Sequence, residues 1–218
     1  MMSYAFFLGA GGVLVLFCVL WKVGLFRSVV FSEEAVEEYT FAYLRHLGPY
    51  QNIGALFARL QKIYKQYEQE LSPGFPSAGV YLDNPDKVPA DKCRSAAGLR
   101  LTAAQAEKLG EKLQGEHGLE LRTMPSASCA VCKWDLAGGL LFTPSIIVAV
   151  ARVYKSAGDP SSLVMRKFAK KEEGSETTLC GTVELYDQVT KVRFCFPSHA
   201  KTEAWFSGFG HFGDKKDT

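Results

Sequence analysis

The hydrophobic pattern of the chain changes period several times, and each change marks an element. Residues 4–21, YAFFLGAGGVLVLFCVLW, hold no charge and no polar stripe. As a helix this run would reach about 27 Å, close to the hydrocarbon thickness of a bilayer. Residues 39–44 turn strand-like and stop at Gly48-Pro49. Ile53, Leu56, Phe57, Leu60, Ile63, Tyr64 and Tyr67 then recur at spacings of three and four, with Lys62, Lys65 and Glu68 opposite; this predicts an amphipathic helix ended by Ser72-Pro73-Gly74. Strands are expected at 78–82 and 94–101. Asp83-Asn84-Pro85 and Val88-Pro89 form a rigid connection between them. Thr102 and Gln105 read as a capping box for a short helix carrying Ala106, Leu109 and Leu113 inward, closed by Gly115 and Gly118.

The order then repeats. Residues 119–123, continued past Pro125 by 129–136, are extended. Pro144 suits the first turn of a helix with Ile147, Val150, Val153 and Tyr154 on one face. A second helical piece, 163–171, follows Asp159-Pro160-Ser161. Residues 178–186 and 191–196 alternate as a closing hairpin. The reading is an α+β domain of two strand–helix–strand–strand repeats, 39–101 and 119–197. One half alone would leave a sheet face bare. Two halves edge to edge, with both helices on one face of an antiparallel sheet, resolve this. The other, concave face is expected to stay open as a groove for a small ligand or peptide. The chain divides into an anchor and flank (1–27), a solvated linker with Glu33, Glu34, Glu37 and Glu38 (28–38), the domain (39–200) and a tail (201–218).

The first segment is expected to be a retained single membrane span. A cleaved signal peptide would carry a basic leader and a small-x-small site; here no Lys or Arg precedes the run, and Trp21-Lys22-Val23 follow it. A buried helix of a soluble core would show a polar stripe. Lys22 and Arg27 after the span place the domain in the cytosol. Gly9, Gly11 and Gly12 would let a second helix approach closely.

A net charge of +2, with no basic block, argues against nucleic acid as a partner. Of six cysteines, Cys18 lies inside the expected span, and Cys93, Cys129, Cys132, Cys180 and Cys195 are expected as free thiols on the cytosolic side. Cys129 and Cys132 form a lone CxxC. In a strand they point to opposite faces, which suits packing better than zinc or redox chemistry. His46, His117, His199 and His211 are scattered, so neither a metal site nor a cofactor is expected.

Gly48-Pro49-Tyr50 after the first strand, and Val183-Glu184-Leu185-Tyr186, resemble the GyrI-like (SHS2-type) ligand-binding domain. More specifically, Val80-Tyr81-Leu82-Asp83-Asn84-Pro85, Val88-Pro89, Asp91-Lys92-Cys93-Arg94 and Gly98, together with the N-terminal span, are similar to the testis-expressed protein 264 family of endoplasmic-reticulum-anchored GyrI-like proteins. That resemblance covers roughly residues 1 to 205. It implies a receptor for selective autophagy of the endoplasmic reticulum, single-pass, with a cytosolic domain, which binds autophagy modifiers of the ubiquitin-like class. Here the long acidic tail that carries the family's modifier-binding motif has no counterpart. The candidates left are Phe41-Ala42-Tyr43-Leu44 and Tyr186-Asp187-Gln188-Val189, both in expected strands.

In GyrI-like ligand binders a buried glutamate with aromatic neighbours lines the groove, and the resemblance puts Glu184 in that role. Tyr43, Tyr50, Tyr81, Trp134 and Tyr186 are the candidate aromatic wall for a small hydrophobic or cationic ligand. A carboxylate so walled has a raised pKa and could serve as a general acid or base, so a small-molecule binder or a hydrolase using Glu184 is the alternative to a non-enzymatic adaptor in reticulum turnover or protein quality control. Phe206, Gly208, Phe209, Gly210 and Phe212 resemble the short box by which adaptors bind the valosin-containing AAA unfoldase. The competing expectation is that Trp205 and Phe206 pack back on the domain.

Overall fold

A computed structural model describes residues 2–157, 181–198 and 204–209, with backbone alone at 2–11 and 208. Helix α1 (Met2–Lys22) leads into eight strands: β1 (Ser32–Val36), β2 (Tyr39–Leu47), β3 (Ser77–Tyr81), β4 (Arg94–Leu101), β5 (Glu120–Met124), β6 (Ala127–Asp135), β7 (Thr182–Gln188) and β8 (Lys191–Pro197). Three more helices, α2 (Gly54–Gln66), α3 (Ala103–His117) and α4 (Phe142–Ala157), connect them. The strands form one antiparallel sheet in the order β1-β6-β8-β7-β3-β4-β2-β5. The two expected repeats are visible in it as β2-α2-β3-β4 and β6-α4-β7-β8. They meet where β3 pairs with β7, Gly79 opposite Glu184.

Chain length dictates the shape of this sheet. β5 closes one end and β6 lies next to the other, yet only Pro125 and Ser126 separate them. Three steps of chain span at most about 11 Å, so the sheet must curl until its ends nearly meet. Side chains on its inner face form a single cluster running from Val36 and Met124 through Phe41, Val80, Val183 and Cys195. Those on the outer face divide in two. α2 and α3 press Leu60, Ile63, Leu109 and Leu113 onto Ala42, Leu99 and Leu101. α4 presses Ala149 and Val153 onto Cys132, Phe194 and Phe196. The helices thus share one face, as the pattern predicts. Among the described residues the helix long and apolar enough to cross a membrane is Gly139–Ala157, and α1 contributes the shorter apolar stretch Gly12–Lys22. The former is a domain helix here, since its Ser145, Ala149, Val153 and Ala157 are buried against the sheet.

Two expectations need correction. The first concerns the linker. Ser32–Val36 within it is an edge strand on β6, with Val36 4% exposed. Its acids are answered by β6: Glu34 pairs with Lys133 at 2.9 Å, and Ser128 Oγ donates to Glu33 at 3.1 Å. The second concerns the groove. The inner face is filled rather than open. Trp205 is fully buried and its Nε1 donates to Pro125 O at 2.8 Å. Phe209, 1% exposed, meets Tyr43 edge-on at 5.2 Å, and Arg122 lies over its ring at 4.6 Å. The chain after β8 supplies the apolar cover that the curled face needs.

The motifs that carry the resemblance have architectural work. The Asp83 carboxylate accepts from Arg94 N–H at 2.7 Å and from both Nε and Nη2 of its guanidinium. Tyr50 donates to Asp83 O at 2.8 Å and accepts from Asp83 N–H at 3.0 Å. Together they close the β3–β4 connection. At Gly98 a Cβ would stand 2.3 Å from Ala42 O and 2.7 Å from the Phe41 ring, so the crowded β2–β4 contact admits only glycine. The predicted capping box forms as well: Gln105 N–H donates to Thr102 Oγ1, and Thr102 N–H donates to Gln105 Oε1. Cys129 faces the inner cluster and Cys132 the outer, and every cysteine among the described residues is a free thiol.

Candidate functional site

Glu184 sits at the joint of the two repeats. On β7 it projects from the outer face, opposite Gly79 of β3 and Phe194 of β8. It is 2% exposed. Its Oε2 accepts hydroxyl hydrogen bonds from Tyr186 at 2.8 Å and from Tyr81 at 3.0 Å. Tyr186 is two residues along the same strand and shares the face. Tyr81 reaches the carboxylate by folding back over Gly79; a Cβ there would lie 3.2 Å from its ring and hydroxyl. Aromatic rings stand around the three. Tyr50 meets Tyr81 edge-on at 5.0 Å, and Phe57 of α2 meets Tyr186 at 5.4 Å. From α4, Tyr154 lies edge-on to Phe196 at 5.9 Å with its hydroxyl bonded to Thr182.

Burial pushes the Glu184 carboxyl up to about 7, against the opposing pull of the Tyr186 and Tyr81 hydroxyls. Burial first, and then the Glu184 charge, raise the Tyr81, Tyr186 and Tyr154 hydroxyls well above the ordinary phenol range. No Lys, Arg or His among the described residues pairs with Glu184, and none contributes to its shift. The arrangement is a carboxyl group close to half-protonated at neutral pH, with aromatic rings around it, and the faces of such rings attract cations.

The structure brings together Glu184, Tyr50, Tyr81 and Tyr186 of the sequence-predicted set. Tyr43 is elsewhere. It pairs with Gly98, Gly98 with Ala78, and Ala78 with Leu185, which puts it on the inner face. There it stacks on Phe41 at 5.1 Å and donates to Glu120 at 3.0 Å. Trp134 shares the outer face but receives the segment after α1. Gly24 (φ 89°) lies so close that a Cβ would be 2.9 Å from the indole; Arg27 stands 5.3 Å over the ring and pairs with Asp135 at 2.9 Å. Sequence reasoning missed Phe57 and Tyr154 as site residues. Both lie in the apolar stripes of their helices, and placing the helices on the Glu184 face is what turns those stripes into walls.

The tail candidates are packed into the domain where they are described. Phe206 covers Gly181, whose Cβ would meet its ring at 2.6 Å, and Phe209 is buried. Gly208 is described by its backbone, while Gly210 and Phe212 lie outside the described residues, as do the helical piece at 163–171, Cys180, His199 and His211. Phe41-Ala42-Tyr43-Leu44 belongs to β2, paired on both sides by β4 and β5. Tyr186 belongs to β7, paired on both sides by β3 and β8. A partner adding itself as a strand has no free backbone edge at Phe41-Ala42-Tyr43 or at Tyr186, while Asp187-Gln188-Val189 run past β3 into the turn before β8. Among the described residues no group of three His, Cys, Asp or Glu could hold a metal ion.

Residues 31–138 match the family profile of the GyrI-like small molecule binding domain. The particular likeness is to testis-expressed protein 264. The Homo sapiens protein is 34% identical over 98 residues, which is 44% of this chain and 29% of the relative. The Mus musculus homolog is 32% identical over 112 residues, 50% of this chain and 34% of the relative. The match thus spans about a third of the curated relatives' length. Among solved structures, SAV2435 bound to tetraphenylphosphonium is 11% identical with a TM-score of 0.45, covering 77% of this chain and 93% of that one. A hydrolase from Listeria innocua is 13% identical with a TM-score of 0.41, covering 79% and 94%.

Proposed function

We propose that the protein is a membrane-anchored, non-enzymatic GyrI-like receptor. In this reading α1 holds it in the endoplasmic-reticulum membrane with the domain in the cytosol, where it acts in turnover of the reticulum or in protein quality control. Its domain takes a small apolar cation over Glu184. The observation that carries the ligand reading is the buried Glu184 carboxylate, held by two tyrosine hydroxyls with no cation beside it among the described residues. A buried charge without a counter-ion is costly, and a cationic ligand removes that cost. Aryl groups on such a ligand would meet Phe57, Tyr81 and Tyr154. What supports the anchor is the uncharged run 4–21 at the length of a bilayer, and the similarity to testis-expressed protein 264 supports the reticulum.

The ligand test is thermal unfolding of the full chain in neutral detergent with tetraphenylphosphonium. A raised midpoint that vanishes in Glu184→Gln is expected. No shift with this or related aryl ammonium and phosphonium ions refutes it. The adaptor test is a tag after residue 218 in cells. It should resist alkaline extraction with the membranes yet be digested by protease once the plasma membrane alone is opened. A protected tag places the domain in the lumen and ends the cytosolic reading.

A further inference from the structure

Helices α2 and α4 hold equivalent places in the two repeats, but their outward faces differ. The exposed positions of α2 include Arg59, Gln61, Lys62 and Lys65. Residues 136–151, which contain the turn before α4 and most of that helix, hold no charge at all. Leu140 is 99% exposed and Ile147 is 61% exposed; Pro144 and Ala151 are exposed on the same side. A helix apolar on the side turned away from its own core normally has something covering that side.

The position of α1 says what that cover is. Leu141 closes a shallow apolar cleft with Leu14, Val15, Cys18, Val19 and Lys22. These residues are the last turns of α1, about 12 Å of helix. Arg152, at the charged end of α4, donates to Leu25 O. A plane that buries α1 through Trp21 therefore carries the Leu140-Leu141 turn at or below the level of the headgroups. Arg152 and Lys155 follow the uncharged run as the cations that anionic headgroups attract. The segment after α1 is pinned to Trp134 and Asp135, so the domain is held in this pose rather than swinging on a linker.

We propose that the outer face of α4 with the Leu140-Leu141 turn is a second membrane contact, lying in the lipid surface beside α1. This rests on the reading of α1 as a span. The domain would then ride with α4 against the bilayer and α2 toward the cytosol, and the Glu184 cluster between those helices would stand close to the membrane.

The test uses the full chain with Cys18→Ala and Cys180→Ala, which removes the exposed thiol among the described residues and the one outside them, in vesicles of phosphatidylcholine with phosphatidylserine. An environment-sensitive fluorophore is placed by Leu140→Cys, or by Lys62→Cys on α2 as the control. Flotation with the vesicles is read in parallel. Docking predicts flotation of both variants, with blue-shifted emission and several-fold quenching by nitroxide-labelled lipid at position 140 and neither at position 62. Flotation with a water-exposed label at 140 overturns the docking while leaving the span standing. Failure to float overturns the span and the docking with it. A blue-shifted label at 140 that nitroxide-labelled lipid does not quench, together with a chemically cross-linked dimer in the same vesicles, assigns the face to a second copy of the chain and overturns the membrane contact.

Discussion

Glu184→Gln should change how stability depends on pH, and the sign follows from the structure. The folded carboxyl titrates at about 7, while its reference value is 4.5. Between those values the native chain keeps a proton that the unfolded chain has lost. Stability therefore falls as pH rises through the window and levels off above it. Each pH unit is worth about 1.4 kcal/mol, so the wild type should lose about 3 kcal/mol across the window from this group alone. Below the window both states are protonated and the group contributes nothing. Gln keeps the shape, cannot ionise, and should be flat with respect to this term. The assay is urea unfolding of both proteins in neutral detergent from about pH 5 to about pH 8, reading the difference between the two curves. The variant should gain on the wild type by about 2–3 kcal/mol between the two ends of that range, since part of the window lies below its acid end. Parallel curves, with a constant offset at every pH, would refute the reasoning, because they would mean that the buried carboxyl titrates in the folded chain as it does in the unfolded one.

The remaining predictions concern packing. Gly98→Ala forces a methyl against Ala42 O and should cost about 1–3 kcal/mol or more, read by urea midpoint; a loss below experimental error would mean the β2–β4 contact is looser than described. Trp205→Ala should cost about 3–5 kcal/mol and expose the inner face to limited proteolysis, whereas an unchanged midpoint would mean the strap is dispensable. Asp83→Asn should cost only about 1 kcal/mol, because Arg94 is half exposed, yet it should raise amide exchange through the β3–β4 connection. Burial pushes the Cys129 thiol up to about 12 and raises Cys132 and Cys195 too, so these should resist maleimide in the native chain and react on unfolding.

Local signals were readable because local physics decides them. Strand β4 spans Arg94–Leu101 as expected, and the Thr102–Gln105 box caps α3 as its letters require. Strand β1 was hidden by its acids: Glu33 and Glu34 look like solvated residues until β6 supplies Lys133 and Ser128 beside them. Tyr43 looked like a wall of the Glu184 site because facing depends on register across three ladders, which no single strand encodes. The filling of the inner face was a choice between two readings of the tail. It depends on Trp205 finding Pro125 across 80 residues of chain.

The pairing of Gly79 with Glu184 has a mechanical meaning. The five rungs between β3 and β7 are the backbone seam along which the two repeats would part, and the carboxylate stands in the middle of it. Anything reaching Glu184 must wedge the gap that α2 and α4 guard, while Trp205 and Phe209 stitch the opposite side shut. Under the proposed ligand reading, entry would need one half to part from the other along this seam, and a ligand that fits would act as the clasp.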